Sequence, residues 1–343
     1  MKRVEAKAPT RVDLAGGSID LWPLYLLHDR PLTVNAAIDL MATATVEEMT
    51  EPGLTIVSHD RGVTHRVGPG TSPAEALAGA PPALGFVLRL ALHFLGSGKG
   101  ATAGVRVTTA CRAPAGSGLG GSSTLGIALA TALDRFTGRG LGAERLLAVT
   151  RGIETQVLAI PTGEQDYHPA IHGGVLGLHY SVEGTRIERL AVDPEALARH
   201  LVLIYTGVSR NSGVSNWDIF KRHLEGEAGV RAALQATSDA AQAIRTALLA
   251  GDWDRAGGAL AEEWRARLRL SPAVTDPVID DLIAAALREG AQAGKVCGAG
   301  GGGCVVLWVP EAARDRVVRR MIESRAEVLE CRIVTKGVAV TES

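Results

Sequence analysis

Three glycine-rich segments, spread over the length of the chain, constrain its fold more than any other feature. They are Pro9–Asp20 (PTRVDLAGGSID), Pro114–Thr124 (PAGSGLGGSST) and Lys295–Cys304 (KVCGAGGGGC). Glycine loses more backbone freedom on folding than any other residue, so it clusters where a chain must turn tightly or let another group come close. The 343 residues include 41 glycines, above the usual share of about 7%, and their clustering without a period argues against a fibre. The middle segment lies between a predicted strand, Gly104–Thr109, and a helix predicted over Ser123–Phe136. A phosphate favours that place, because glycine N–H groups can approach it and the helix start carries partial positive charge. Ser122 and Ser123 stand at the helix start, where a hydroxyl can cap the helix or reach a cation held by phosphates.

Other loop types share this pattern. Gly116-x-Gly118-x-x-Gly121 is a GxGxxG, and so is Gly298-x-Gly300-x-x-Gly303, so the pattern alone decides little. A dinucleotide fold needs a second strand closed by an acidic residue about 20 positions on, whereas the segment after this helix, Leu141–Leu158, reads as helix again. The spacing from Gly116 to Ser122 matches a P-loop but lacks its lysine.

The rest of the chain reads as a mixed α+β protein. Strands are predicted over 2–14, 32–46, within 54–67, and over 104–109, 173–179, 186–192, 201–205, 304–309 and 330–340. Helices are predicted over 82–96, 123–136, 143–158, 217–249, 252–268, 276–290 and 311–326. Length suggests two domains, with a boundary near 180–200. Lys+Arg is 36 and Asp+Glu 37, so no cationic excess exists to coat a nucleic acid, and 4% aromatics argue against a base-stacking platform. The start of the chain lacks the apolar core of a leader peptide. The uncharged run Ala113–Leu133 is half glycine and serine loop, so no membrane span is expected. Cys111, Cys297, Cys304 and Cys331 have no zinc-knuckle spacing and read as reduced thiols of a cytoplasmic protein.

In this order the three glycine segments resemble the motifs of the GHMP kinases (galacto-, homoserine, mevalonate and phosphomevalonate kinases). The middle loop is similar to P-x-x-x-GLGSSS, with Gly121 where the first serine usually stands, and the last is similar to GAGGGG. Thr162–Asp166 followed by Gly173-Gly174 resembles the segment carrying the family's catalytic aspartate, and Tyr205–Arg210 (YTGVSR) a segment of sugar kinases. Ala15–Asp20 (AGGSID) is similar to the AGGGTD of D-glycero-D-manno-heptose 7-phosphate kinase-like proteins, departing at Ser18 and Ile19. The resemblance implies a two-domain fold. Residues 1–190 would form an N-terminal ATP-binding β-α-β domain of the left-handed crossover type, and residues 191–343 a C-terminal ferredoxin-like α/β sandwich. It implies ATP- and Mg2+-dependent phosphorylation of a hydroxyl, in the sugar branch usually the anomeric one, on a sugar or sugar phosphate, with no nucleic-acid or membrane partner. A galactokinase-like or other monosaccharide 1-kinase, a mevalonate-type kinase, a dinucleotide oxidoreductase and a non-catalytic nucleotide-binding module are the rivals. The sequence is silent on oligomeric state.

The resemblance also assigns roles. Pro114, Gly116, Ser117, Gly118, Leu119, Gly120, Gly121, Ser122 and Ser123 would cradle the phosphates. Ser122 and Glu154 would hold Mg2+. Asp166 would act as base, preferred over Glu164 by motif alignment, and Arg11 would neutralise charge developing during transfer. Gly17, Ser18, Asp20, His168, Arg210, Gly300, Gly301 and Gly302 would face the acceptor. Arg210 and Lys295 are the cations expected to meet a phosphate on that acceptor. His172, Trp22 and Tyr25 read as structural.

Overall fold

A computed structural model describes residues 1–99, 104–208 and 213–343. The first half builds one mixed sheet. Strands β1 (Arg3–Ala15) and β2 (Leu32–Met49) run antiparallel, β3 (Gly53–Ser58) and β4 (Val63–Val67) form a hairpin, and helices α1 (Pro73–Ala78) and α2 (Gly85–Lys99) lead to β5 (Gly104–Cys111). β5 pairs parallel with β3 and antiparallel with the second half of β2. Helices α3 (Gly121–Thr137), α4 (Ala143–Leu158) and α5 (Tyr167–His172) follow, then β6 (Val175–Ser181) and β7 (Gly184–Arg189). β6 pairs with the first residues of β2, so one long strand serves two neighbours.

α3 is buried almost all round, from Ser123 to Asp134, because it lies on β1 and β2 with α2 and α4 on its other sides. Helices with no polar face belong in such central places. Gly126 makes this possible: a Cβ there would come within 2.6 Å of Phe86 and of Thr150. The register of β1 against β2 shifts at Pro9/Thr10. A proline inside a strand lacks the ladder N–H, and a bulge is where it is tolerated. Past this shift Arg11 stays in register with Ala37 of β2, while its N–H donates to the Leu119 carbonyl at 3.1 Å, so β1 grips the middle glycine loop directly.

The second half begins with α6 (Pro194–His200) and β8 (Leu201–Tyr205). Then come α7 (Gly213–Leu224), α8 (Ala228–Ala250), α9 (Trp253–Leu268) and α10 (Pro277–Arg288), and β9 (Ala293–Val296), β10 (Cys304–Trp308), α11 (Arg314–Glu323) and β11 (Glu327–Leu329). The sheet order β11-β8-β10-β9, with helices between β8 and β9 and between β10 and β11, is the ferredoxin-like βαββαβ arrangement. Its strands alternate between two cores. Val202, Ile204, Val305 and Leu307 face α10 and α11, while Leu203, Val306 and Trp308 face α8 and α9 and meet Val12, Leu14 and Val34 of the first sheet. One apolar core therefore spans both halves.

Two expectations fail locally. The helix predicted over 217–249 is two helices, broken where Gly226 takes a left-handed φ of 87°. The strand predicted over 330–340 is mostly irregular; only β12 (Ala339–Glu342) is regular there, and it pairs with β1, on the first sheet. No helix among the described residues is long and apolar enough to cross a membrane.

Candidate active site

The middle and last glycine loops meet backbone to backbone. Gly116, Gly118 and Gly120 all have φ between 70° and 75°, a region costly for any residue with a Cβ. A Cβ on Gly118 would fall within 2.9 Å of the Cys297 carbonyl carbon and nearer still to its oxygen, and one on Gly303 within 2.6 Å of the Ser117 oxygen. The Cys304 N–H donates to the Ser117 carbonyl at 2.7 Å. Segment 205–208 clasps the last loop from outside: the Thr206 hydroxyl and N–H both donate to the Gly303 carbonyl, at 2.9 and 3.0 Å. Over this seam opens a cleft of about 390 Å³, lined by Pro114–Gly118 and Gly120–Ser123. The helix behind it starts at Gly120 with no side-chain cap, so the first N–H groups of α3 are left for a ligand to satisfy. Leu119 is buried beneath the loop.

At the foot of this cradle stand Arg11 and Asp166. Arg11 donates from Nε and Nη2 to Asp166 Oδ1, at 2.8 and 2.5 Å, and from Nη1 to the Gly118 carbonyl. Gly120 makes room for Asp166: a Cβ there would lie 3.1 Å from the Asp166 Cβ. Burial would lower the Arg11 pKa, but the charges of Asp166 and Asp13 raise it, so the guanidinium stays cationic. Glu164, the competing carboxylate, accepts from the Thr185 hydroxyl at 2.7 Å and pairs with Arg151, and does not line the cleft.

On the opposite wall Glu154 projects from α4. Its Oε2 accepts from Tyr167 Oη at 2.5 Å and Ser123 Oγ at 2.8 Å. Burial raises the Glu154 pKa, while those hydroxyls lower it. Burial and the Glu154 charge push the Tyr167 phenol well above its usual range, so it remains a donor. Ser122 is exposed beside it and lines the same cleft. Hydroxyl and carboxylate oxygens are the hard donors a Mg2+ ion takes, usually one or two from protein and the rest from phosphates and water. Among the described residues no group of three or more His, Cys, Asp or Glu side chains is placed to hold a metal ion.

The far end of the cleft is rich in hydrogen-bond acceptors. Asp20 Oδ2 accepts from the Gln165 N–H at 3.1 Å, and Gln165 Oε1 is buried without a partner. Burial pushes the Asp20 carboxyl up to about 6. Ser18, with φ 70°, donates from Oγ to Asn216 Oδ1 at 3.1 Å; this bond crosses from the β1–β2 connection to α7.

Several expected site residues lie elsewhere. Lys295 is a correction. It is fully buried, with Nζ 2.9 Å from Asp13 Oδ2 and 3.1 Å from Glu263 Oε1, so it cannot meet an acceptor phosphate. It belongs to a charged cluster that Arg267 completes, 3.5 Å from Asp13. Asp13 and Arg267 hold the N–H and carbonyl of Gly298, at 2.9 and 2.5 Å. Burial would raise the Asp13 pKa, but Lys295, Arg11 and Arg267 hold it low. Gly17 sits over the Arg267 guanidinium, where a Cβ would overlap it. Gly298 and Ala299 line the cleft, but Gly300, Gly301 and Gly302 do not; Gly300 abuts Val274, and the Gly301 N–H donates to the Val274 carbonyl at 2.6 Å. His168 is buried away from the cleft with neither ring nitrogen hydrogen-bonded, and burial lowers its pKa to about 4. Arg210 lies outside the described residues. The sequence reading missed Ser58 at the end of β3, Asp60 and Arg61 on the β3–β4 turn, Phe86 and Val87 of α2, Tyr167, Gln165 and Asn216, which also line the cleft.

A glycine cradle at a helix start, over an Arg–Asp pair and beside an oxygen-donor wall, defines a phosphoryl-transfer type of site. Comparison with known proteins agrees. The model for the GHMP kinases N terminal domain matches residues 85–174 and that for GHMP kinases C terminal matches residues 244–327. The chain belongs to the GHMP kinases. It is 24% identical to the D-glycero-alpha-D-manno-heptose 7-phosphate kinase of Campylobacter jejuni, over 98% of both chains. It is also 24% identical to the bifunctional fucokinase/GDP-fucose pyrophosphorylase of Arabidopsis thaliana, over 95% of this chain and 32% of that one. The crystal structure of a D-glycero-D-manno-heptose 1-phosphate kinase from Bacteroides thetaiotaomicron shares the fold, with TM-score 0.77, 24% identity and 98% of each chain covered.

Proposed function

We propose that this chain is an ATP- and Mg2+-dependent kinase that transfers the γ-phosphoryl group to a hydroxyl of a sugar or sugar phosphate. The observation that carries the reading is the Arg11–Asp166 pair at the foot of the cradle, where one guanidinium bonds both Asp166 and the Gly118 carbonyl. Phosphoryl transfer asks a protein mainly to align donor and acceptor and to neutralise charge. The N–H groups around Gly116–Ser123 hold the phosphate tail. Asp166 aligns the acceptor hydroxyl and takes its proton as the O–P bond forms. Arg11 meets the charge spread over the moving group. Ser122 and Glu154 would hold Mg2+, which supplies charge neutralisation to the phosphates.

The acceptor end supports a polyol. Asp20 and the unpartnered Gln165 Oε1 offer acceptors to several hydroxyl donors, and the Ser18–Asn216 bond spans the same space. The relatives named above act, by name, on heptose phosphates and fucose, which supports a sugar as the acceptor. We take residues 1–190 as the ATP-binding half and 191–343 as the half that closes the acceptor end. The four unpaired cysteines suit a reducing cytoplasm. The test is ADP release across free hexoses, deoxysugars, heptoses and their phosphates, with mevalonate included. Turnover of a sugar supports the reading; turnover of mevalonate alone refutes it.

A further inference from the structure

We infer that Tyr167 is a positioning residue that orients the cation-binding carboxylate of Glu154; the inference rests on the nucleotide reading of this cleft. Two donors, Tyr167 Oη and Ser123 Oγ, end on the same oxygen, Oε2, and no described hydrogen bond ends on Oε1. One oxygen is thus fixed by two protein donors, and the other is left for the cleft that Glu154 and Ser122 both line. The anchor is rigid. Tyr167 is 1% exposed and packs in the main core of the first half with Leu125, Leu129 and Ala170. Its own N–H donates to the Glu164 carbonyl at 3.2 Å.

Tyr167 also follows Asp166 directly in the chain. A single turn therefore carries the aspartate that faces the acceptor and the phenol that holds the cation ligand, and the spacing between the two functions is set by one residue step and one hydrogen bond. Partners of this kind orient metal ligands, and their loss typically weakens metal affinity about 10–100-fold. A tyrosine serving only to tie α4 to α5 would affect stability and leave cation binding unchanged.

The experiment measures how far Mn2+ tightens binding of a fluorescent, non-hydrolysable ATP analogue to the full chain, relative to EDTA. In Tyr167→Phe this enhancement should fall about tenfold or more while affinity in EDTA stays unchanged. Ser123→Ala, which removes the other donor to Oε2, should reduce it in the same direction. It decides the matter should Tyr167→Phe fail to fold, because unchanged enhancement there overturns the inference. Enhancement in Tyr167→Phe within twofold of wild type also overturns it, as does a wild type that Mn2+ does not affect. A chain that shows the Mn2+ effect yet phosphorylates no sugar would leave the role of Tyr167 standing and refute the sugar-kinase reading instead.

Discussion

Replacing Gly118 by alanine should damage the site more than its single added methyl group suggests, and a matched control isolates the reason. Gly118 has φ 75° and Gly138 has φ 70°, so alanine pays the same left-handed backbone penalty at both, about 1–2 kcal/mol. A Cβ on Gly138 meets nothing within 4 Å, whereas one on Gly118 falls inside the Cys297 carbonyl group. That oxygen belongs to backbone, not to a flexible side chain, so the two loops must separate. Forcing a methyl group into a closed contact adds about 1–3 kcal/mol. The expected totals are about 1–2 kcal/mol for Gly138→Ala and about 2–5 kcal/mol for Gly118→Ala. With unfolding entropy near 2.1 cal/mol/K per residue, a chain of this length shifts its melting temperature by about 1–2 °C per kcal/mol. Thermal denaturation of the two variants side by side should place Gly118→Ala about 1–4 °C below Gly138→Ala. Equilibrium binding of an ATP analogue should weaken only in Gly118→Ala. Equal melting temperatures with equal nucleotide affinity would refute the backbone seam as the element that shapes the cradle.

Asp20 gives a pH test. Its carboxyl is pushed from 3.8 up to about 6 by burial, so between those values the folded state keeps a proton that the unfolded chain has released, and stability falls as pH rises through the window. Above pH 6 the buried charge costs on the order of 3 kcal/mol. Asp20→Asn should therefore raise the melting temperature at pH 7.5, lose that gain near pH 4, and weaken acceptor binding; equal shifts at both pH values would contradict this. Lys295→Met leaves Arg267 as the cation that Asp13 and Glu263 share and should cost about 3–5 kcal/mol in denaturant unfolding; a loss below 1 kcal/mol would show that the cluster does not depend on the Lys295 charge. Glu154→Gln should abolish the metal dependence of analogue binding while leaving metal-free affinity intact, read by titration with and without Mn2+.

The glycine loops were legible because their conformation is a local property: φ near 70° at alternate residues excludes most side chains wherever the segment lies. The helices 143–158 and 252–268 and the strand 201–205 were legible through periodicity and matched within a residue. Direction was not legible. Lys295 stands inside a glycine motif, yet its side chain points into a buried cluster with Asp13, Glu263 and Arg267, residues far apart in sequence. The same limit hid Ser58–Arg61, which reach the cleft through the parallel pairing of β3 with β5, and Asn216, which reaches it through α7. The break at Gly226 was missed because apolar residues on α7 and α8 continue one periodic pattern across it. β12 was misjudged because its partner, β1, lies at the other end of the chain.

The central claim is that Asp166 aligns an alcohol against a nucleotide held by the glycine cradle. The most direct test is Asp166→Asn, assayed for ADP release with the sugar that the wild type uses, alongside ATP-analogue binding. Turnover should fall about 10²–10⁴-fold with nucleotide affinity retained. Full turnover in the folded variant would contradict the account.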